Sequence, residues 1–205
     1  MSMVLDELLS MIDIAAFIEV FIPLFIIINP LAILPNFIEL TQRLDKKQRG
    51  SVSFRTSASA FILLCIFVFI GRPVLGLIGV STAAFMMACG ILVLYISLGM
   101  LSGDPPVTRN VEFDRISVVP MSIPLLAGPG AIATTIVLEG TYGKPLVLFS
   151  LVITMVLSKV MLDYYRQIVR VMGKNGLNAW IRLSALFFAA IAVNLITKGI
   201  LEIGW

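Results

Sequence analysis

Long apolar runs separated by short polar connections set the pattern of this chain. An apolar run of about 20 residues can span a bilayer as a helix. Six such runs are read here, over 14–40, 52–70, 82–101, 116–138, 145–164 and 177–200. At about 1.5 Å per residue the first would overrun a ~30 Å hydrocarbon core if it were straight. Pro23, Pro30 and Pro35 predict that it is bent or split. The fourth run contains Pro124-Leu125-Leu126-Ala127-Gly128-Pro129-Gly130-Ala131-Ile132. Pro129 gives no N–H to a helical ladder, and Gly128 and Gly130 relax the backbone beside it. A second break is therefore expected there. A broken helix at membrane depth must be covered by protein or line a wet cavity.

The two breaks match. Asn29-Pro30-Leu31-Ala32-Ile33 and Gly128-Pro129-Gly130-Ala131-Ile132 share Pro, Ala and Ile in register, 99 positions apart. Ile96 to Leu101 and Ile196 to Leu201 close the third and sixth runs one hundred apart, as do Glu39 and Glu139 near the ends of the first and fourth. The expected fold is all-α and polytopic: six transmembrane helices in two three-helix repeats, 1–101 and 116–205, joined by a linker at 102–115. Three spans per repeat turn the second repeat upside down relative to the first. Interrupted spans at corresponding places in two such halves point to a transporter's binding site.

Composition narrows the class. The 205 residues are 59% hydrophobic and 13% charged, with mean hydropathy +1.04. Soluble domains are about a quarter charged, so an integral membrane protein is expected. The net charge of +3 bears on topology and gives no sign of a nucleic-acid partner. There is no histidine, and Cys65 and Cys89 form no C-x-x-C pair. Imidazole metal sites, His-based catalysis and paired-thiol chemistry are thereby disfavoured. No Gly-x-Gly-Asp suggests intramembrane proteolysis, and no cofactor or enzymatic activity is expected. The amino terminus carries Asp6, Glu7 and Asp13 and lacks a basic signal-peptide region. Eleven Lys and Arg fall on one side, in 41–55, 102–115 and 165–177 and at Arg182 just beyond. The opposite side has Arg72, Lys144 and Lys198. The positive-inside bias then places those three connections in the cytoplasm and both termini outside the cytoplasmic membrane.

Asn29-Pro30-Leu31 followed by Pro35, the Pro124-to-Ile132 stretch, and Arg182-Leu183 followed by Asn194 and Gly199-Ile200-Leu201 are similar to the MarC family, also called UPF0056. The likeness covers almost the whole chain. It implies six spans, membership of the wider LysE-like exporter superfamily, and transport of small neutral amino acids. Some members carry a long acidic insert in the third connection, which is short here.

Candidate chemistry follows from the breaks. A helix that restarts after a break presents N–H groups and a partial positive charge suited to a carboxylate. A helix that ends there presents carbonyls suited to an ammonium. The substrate carboxylate is expected near the N–H groups of Gly130, Ala131 and Ile132. The ammonium is expected near carbonyls of Ile27 or Ala127, or the Asn29 side-chain oxygen. Asn29, Pro30, Ala32, Gly128, Pro129, Gly130, Ala131 and Thr134 form the candidate substrate site. An equal reading of Asn29 is that it satisfies backbone groups freed by Pro30. Of Thr134 and Thr135, one is expected to face a cavity and the other to bond its own helix. Glu19 is the candidate coupling group, for a proton or sodium, with an interfacial position as the bland alternative. Lys159 and Asp163, four apart, are read as an ion pair. The leading reading is an ion-coupled secondary transporter of glycine, alanine and similar amino acids, working by alternating access. Export of another small metabolite or drug, a channel, and a non-transporting membrane protein are the rivals. Assembly of several copies is left open.

Overall fold

A computed structural model describes residues 13–102 and 126–203. The acidic Asp6 and Glu7, the linker after Ser102 and the first part of the fourth run, with Pro124 and Leu125, lie outside the described residues. Seven helices are present among the described residues: α1 (Ile14–Ile28), α2 (Leu34–Thr41), α3 (Lys46–Leu77), α4 (Thr82–Ser102), α5 (Pro129–Tyr142), α6 (Lys144–Asp163) and α7 (Tyr165–Ile203). No strand occurs among them. Among the described residues four stretches are long and apolar enough to cross a membrane: α3, α4, α6 and the Asn175–Ile203 part of α7. α1 is a shorter apolar helix.

The first run is split, as its prolines predict. Pro23 sits inside α1 without ending it, and the helix stops at Asn29. Asp13 caps its start by accepting the Ala15 N–H at 3.0 Å. Turn residues 29–33 lead into α2, where Pro35 takes one of the first helical positions, whose N–H would have no intrahelical partner. The basic stretch 41–55 is largely helix. Asp45 and Gln48 form a reciprocal capping box, so α3 starts at Lys46 and carries Arg49 and Arg55 in its opening turns. The stretch 165–177 is also helical rather than a loop. α7 begins at Tyr165 and is broken at Gly173, whose φ of 63° is left-handed. Arg182 consequently lies about two turns inside the spanning part of α7.

α5 sits centrally, packing against α1, α3, α4 and α6. α1 also meets α6 and α7, and α3 packs along α6. The most extensive pairing is α4 with α7. Glycine makes that closeness possible. A Cβ on Gly90 would lie 2.9 Å from the Ala192 carbonyl oxygen, and one on Gly199 would lie 2.7 Å from that of Ala83. Both Gly90 to Gly199 and Ala83 to Ala192 are steps of 109, so one close approach is the mirror-role copy of the other. Large side chains that face outward, such as Ile62, Ile66, Phe69 and Ile70 on α3, are exposed and apolar. That surface suits acyl chains and would be unfavourable in water.

Candidate functional site

The α1 break is built around Asn29. It adopts φ 45° and ψ 62°, a left-handed conformation that Asn tolerates better than most residues. Its N–H bonds Phe25 O at 3.0 Å, and its own carbonyl accepts from Ala32 N–H at 3.1 Å. The buried side chain accepts from Trp180 Nε1 at 3.1 Å, while Nδ2 has no partner. Pro30 is buried and Ala32 packs against the main core.

α5 starts at the second break. Gly128 is extended, Pro129 takes the first helical position, and Ile132 N–H bonds Gly128 O at 3.1 Å. That N–H, expected to meet a substrate carboxylate, is thus used inside the helix. Ala131 is buried. A Cβ on Gly130 would lie 2.6 Å from Val93 Cγ2 and 3.1 Å from Ile27 Cδ1. Gly130 is therefore where α5 meets both α4 and the last turn of α1, close to the first break.

A cavity of about 400 Å3 opens between α1, α5 and α7. Volumes of a few hundred Å3 are typical of small-ligand sites. Its polar groups are Glu19, Thr134, Tyr142, Asn194 and Lys198, set among apolar residues such as Ile22 and Ile191. Two of the sequence-derived candidates, Glu19 and Thr134, line it. Asn29, Pro30, Ala32 and Gly128 to Ala131 do not line this cavity. The Tyr142 hydroxyl donates to the Glu19 carboxylate and ties the end of α5 to α1. Thr134 Oγ1 is buried and has no hydrogen-bond partner. Thr135 was expected to bond its own helix if Thr134 faced the cavity. It does not: its Oγ1 is also buried without a partner. Sequence reasoning left Tyr142 and Asn194 out of the site and counted Lys198 only for topology. Helical spacing was the available signal. Thr134, Leu138 and Tyr142 recur every four residues on α5, and Ile191, Asn194, Leu195 and Lys198 share one stripe of α7.

At the other end of the bundle, Lys159 and Asp163 form the expected ion pair at 2.5 Å. Asp163 also accepts from the Ser53 hydroxyl, joining α6 to α3. The Tyr165 hydroxyl accepts from Arg49 Nη1 at 2.8 Å and Arg166 Nε at 3.0 Å. Among the described residues no cluster of His, Cys, Asp or Glu could hold a metal.

A bundle that is all-helical among the described residues, with four candidate spans there and a lipid-compatible surface, defines an integral membrane protein. The model of the MarC family integral membrane proteins matches residues 14–204, and the chain belongs to that family. It is similar to a UPF0056 membrane protein of Archaeoglobus fulgidus, with 34% identity over 93% of this chain and 96% of the relative. It is likewise similar to one of Methanocaldococcus jannaschii, 33% identical over 88% of this chain and 84% of the relative. The UPF0056 membrane protein YhcE of Escherichia coli K12 is 32% identical over 92% and 93%. No solved structure matches the chain.

Proposed function

We propose that this protein is a secondary transporter that moves small neutral amino acids, glycine and alanine among them, across the cytoplasmic membrane by alternating access. The observation that carries the reading is the cavity between α1, α5 and α7, where exposed Glu19, Asn194 and Lys198 stand among apolar side chains of an apolar bundle. Ionisable groups at such places are costly and are retained for function. The cavity adjoins the helices whose interruptions the sequence marks as a site. Substrate enters at the Glu19 end and passes over the α1 break and the start of α5, with Asn29, Gly128, Gly130 and Ala131 along its way. A proton or sodium ion drives the cycle.

In this reading the chain is two inverted three-helix repeats, 1–101 and 116–205. Helix pairing supports it. Exchange of α1 for α5, α3 for α6 and α4 for the spanning part of α7 converts the α1–α6 contact into α5–α3, and the α1–α7 contact into α5–α4; all four occur. The basic connections face the cytoplasm and both termini face outward. The cavity then opens outward, because Glu19, Tyr142 and Lys198 lie toward that end.

The test is flux of radiolabelled glycine and alanine in proteoliposomes, with pH and sodium gradients imposed separately. Saturable flux driven by one gradient is expected, with loss in Thr134→Val protein that inserts normally. No flux above empty liposomes under either gradient, with another small metabolite or drug moving instead, would replace this reading by the exporter alternative.

A further inference from the structure

The cavity holds charges of both signs that do not neutralise one another. Glu19 on α1 and Lys198 on α7 both line it, yet they make no ion pair with each other within 4 Å. Both residues are exposed where they line it, so each presents its charge to whatever fills the cavity. Two unlike, mutually unpaired charges lining one cavity are complementary to a ligand that carries both charges.

The Glu19 end has a second acceptor. In an α-helix the N–H of residue 23 would bond the carbonyl of residue 19. Residue 23 is Pro23, inside α1 and on the cavity wall. The Glu19 carbonyl therefore has no i+4 donor. One residue presents a carboxylate and a main-chain oxygen. Tyr142, which donates to that carboxylate from the end of α5, fixes its position. On α7, Lys198 and the Asn194 amide supply donors one turn apart. Thr134 lines the same cavity, with its Oγ1 buried and without a partner just behind the surface.

We infer that Glu19 and Lys198 are the two poles of a zwitterion site. The ligand's ammonium meets the Glu19 carboxylate and carbonyl, and its carboxylate meets Lys198 and Asn194. Tyr142 is a positioning residue. This places substrate contact in the cavity, ahead of the helix breaks, and it rests on the transport reading above. Glu19 then serves recognition, whatever group couples the ion.

The experiment is binding of labelled alanine to the purified full-length protein in detergent, with ethylamine and propionate as competitors. Ethylamine has only the ammonium, and propionate has only the carboxylate. On the unaltered protein each should compete at least about tenfold more weakly than alanine, the scale of one lost charged hydrogen bond. Glu19→Gln and Lys198→Gln should each weaken alanine binding by about tenfold or more, with unchanged unfolding midpoints. Glu19→Gln should also abolish competition by ethylamine while sparing propionate, a selectivity that a merely structural defect would not produce. Tyr142→Phe should weaken alanine and ethylamine and leave propionate unchanged. Competition by ethylamine or propionate equal to that of alanine would overturn the two-pole site without any variant. Alanine binding unchanged in both charge variants would overturn the site and leave the transport reading intact. No alanine binding by the unaltered protein would overturn both.

Discussion

Gly130→Ala adds one methyl group where three helices meet. Its Cβ would stand 2.6 Å from Val93 Cγ2 and 3.1 Å from Cγ1 and Cδ1 of Ile27. Ordinary carbon contacts begin near 3.5 Å. Val93 is 1% exposed and stiff at χ1, so it has little freedom to withdraw. Overpacking of this kind costs about 1–3 kcal/mol. Alanine offsets up to about 1 kcal/mol through helix propensity, less near a helix start. The net expectation is a loss of about 1–2 kcal/mol. Val93→Ala removes the methyl at 2.6 Å and leaves only the Ile27 contacts, which need to yield by a few tenths of an ångström. In that background Gly130→Ala should be neutral or stabilising, giving a coupling of about 1–3 kcal/mol between the two positions. The assay is equilibrium unfolding of the four proteins in mixed micelles, titrated with dodecyl sulfate and followed by circular dichroism. A Gly130→Ala cost that is the same with Val93 or Ala at position 93 would refute the packing account. It would free Gly130 to act purely as backbone presented to a ligand.

Asn29→Ala should destabilise more than Asn29→Gly by about 1 kcal/mol in the same titration, because only glycine relieves the φ of 45° while both lose the Trp180 bond. Lys159→Ala should change stability by no more than about 0.5–1 kcal/mol, since that pair is partly exposed. Ser53→Ala should cost about 1–2 kcal/mol, because it removes a fully buried donor to Asp163; equal effects of the two would contradict this ranking. Gly90→Ala and Gly199→Ala should each lower the unfolding midpoint, and no side-chain substitution on the facing helix should rescue either one completely. In both the new methyl meets a main-chain carbonyl as well as a side chain.

Much of the architecture was legible because lipid leaves few options. Backbone polar groups at membrane depth must be satisfied internally, so runs of apolar residues become helices. The splitting of the first run was legible from Asn29 and Pro30, and α5 starting at Pro129 follows from the missing N–H of proline. The ends were less legible. Polar stretches such as 46–51 and 165–172 look like connections by composition, yet Asp45 caps one and both are helix. The site was legible only in part. Glu19 was conspicuous because it is a carboxylate in an apolar run, and Thr134 because it follows the break. Tyr142, Asn194 and Lys198 join them only through the way α1, α5 and α7 lean together, and periodicity within one helix says nothing about which stripe of another it meets. The one-hundred spacing that aligns Gly99 with Gly199 shows the same limit. At the α4–α7 contact the residue that plays the part of Gly199 is Gly90.

That contact also sets a schedule for biosynthesis. Ala192, whose carbonyl Gly90 approaches, comes 102 residues after it in the chain. Chains are made at about 5–20 residues per second, so α4 waits roughly 5–20 seconds for its mate to be synthesised. During that interval its glycine notch has no α7 to close it and lies open to any other occupant. The mature bundle therefore requires that every earlier occupant be exchangeable, and that the later-made α7 bind the notch most closely. Two main-chain approaches at 2.7–2.9 Å from where a Cβ would stand are what give α7 that advantage.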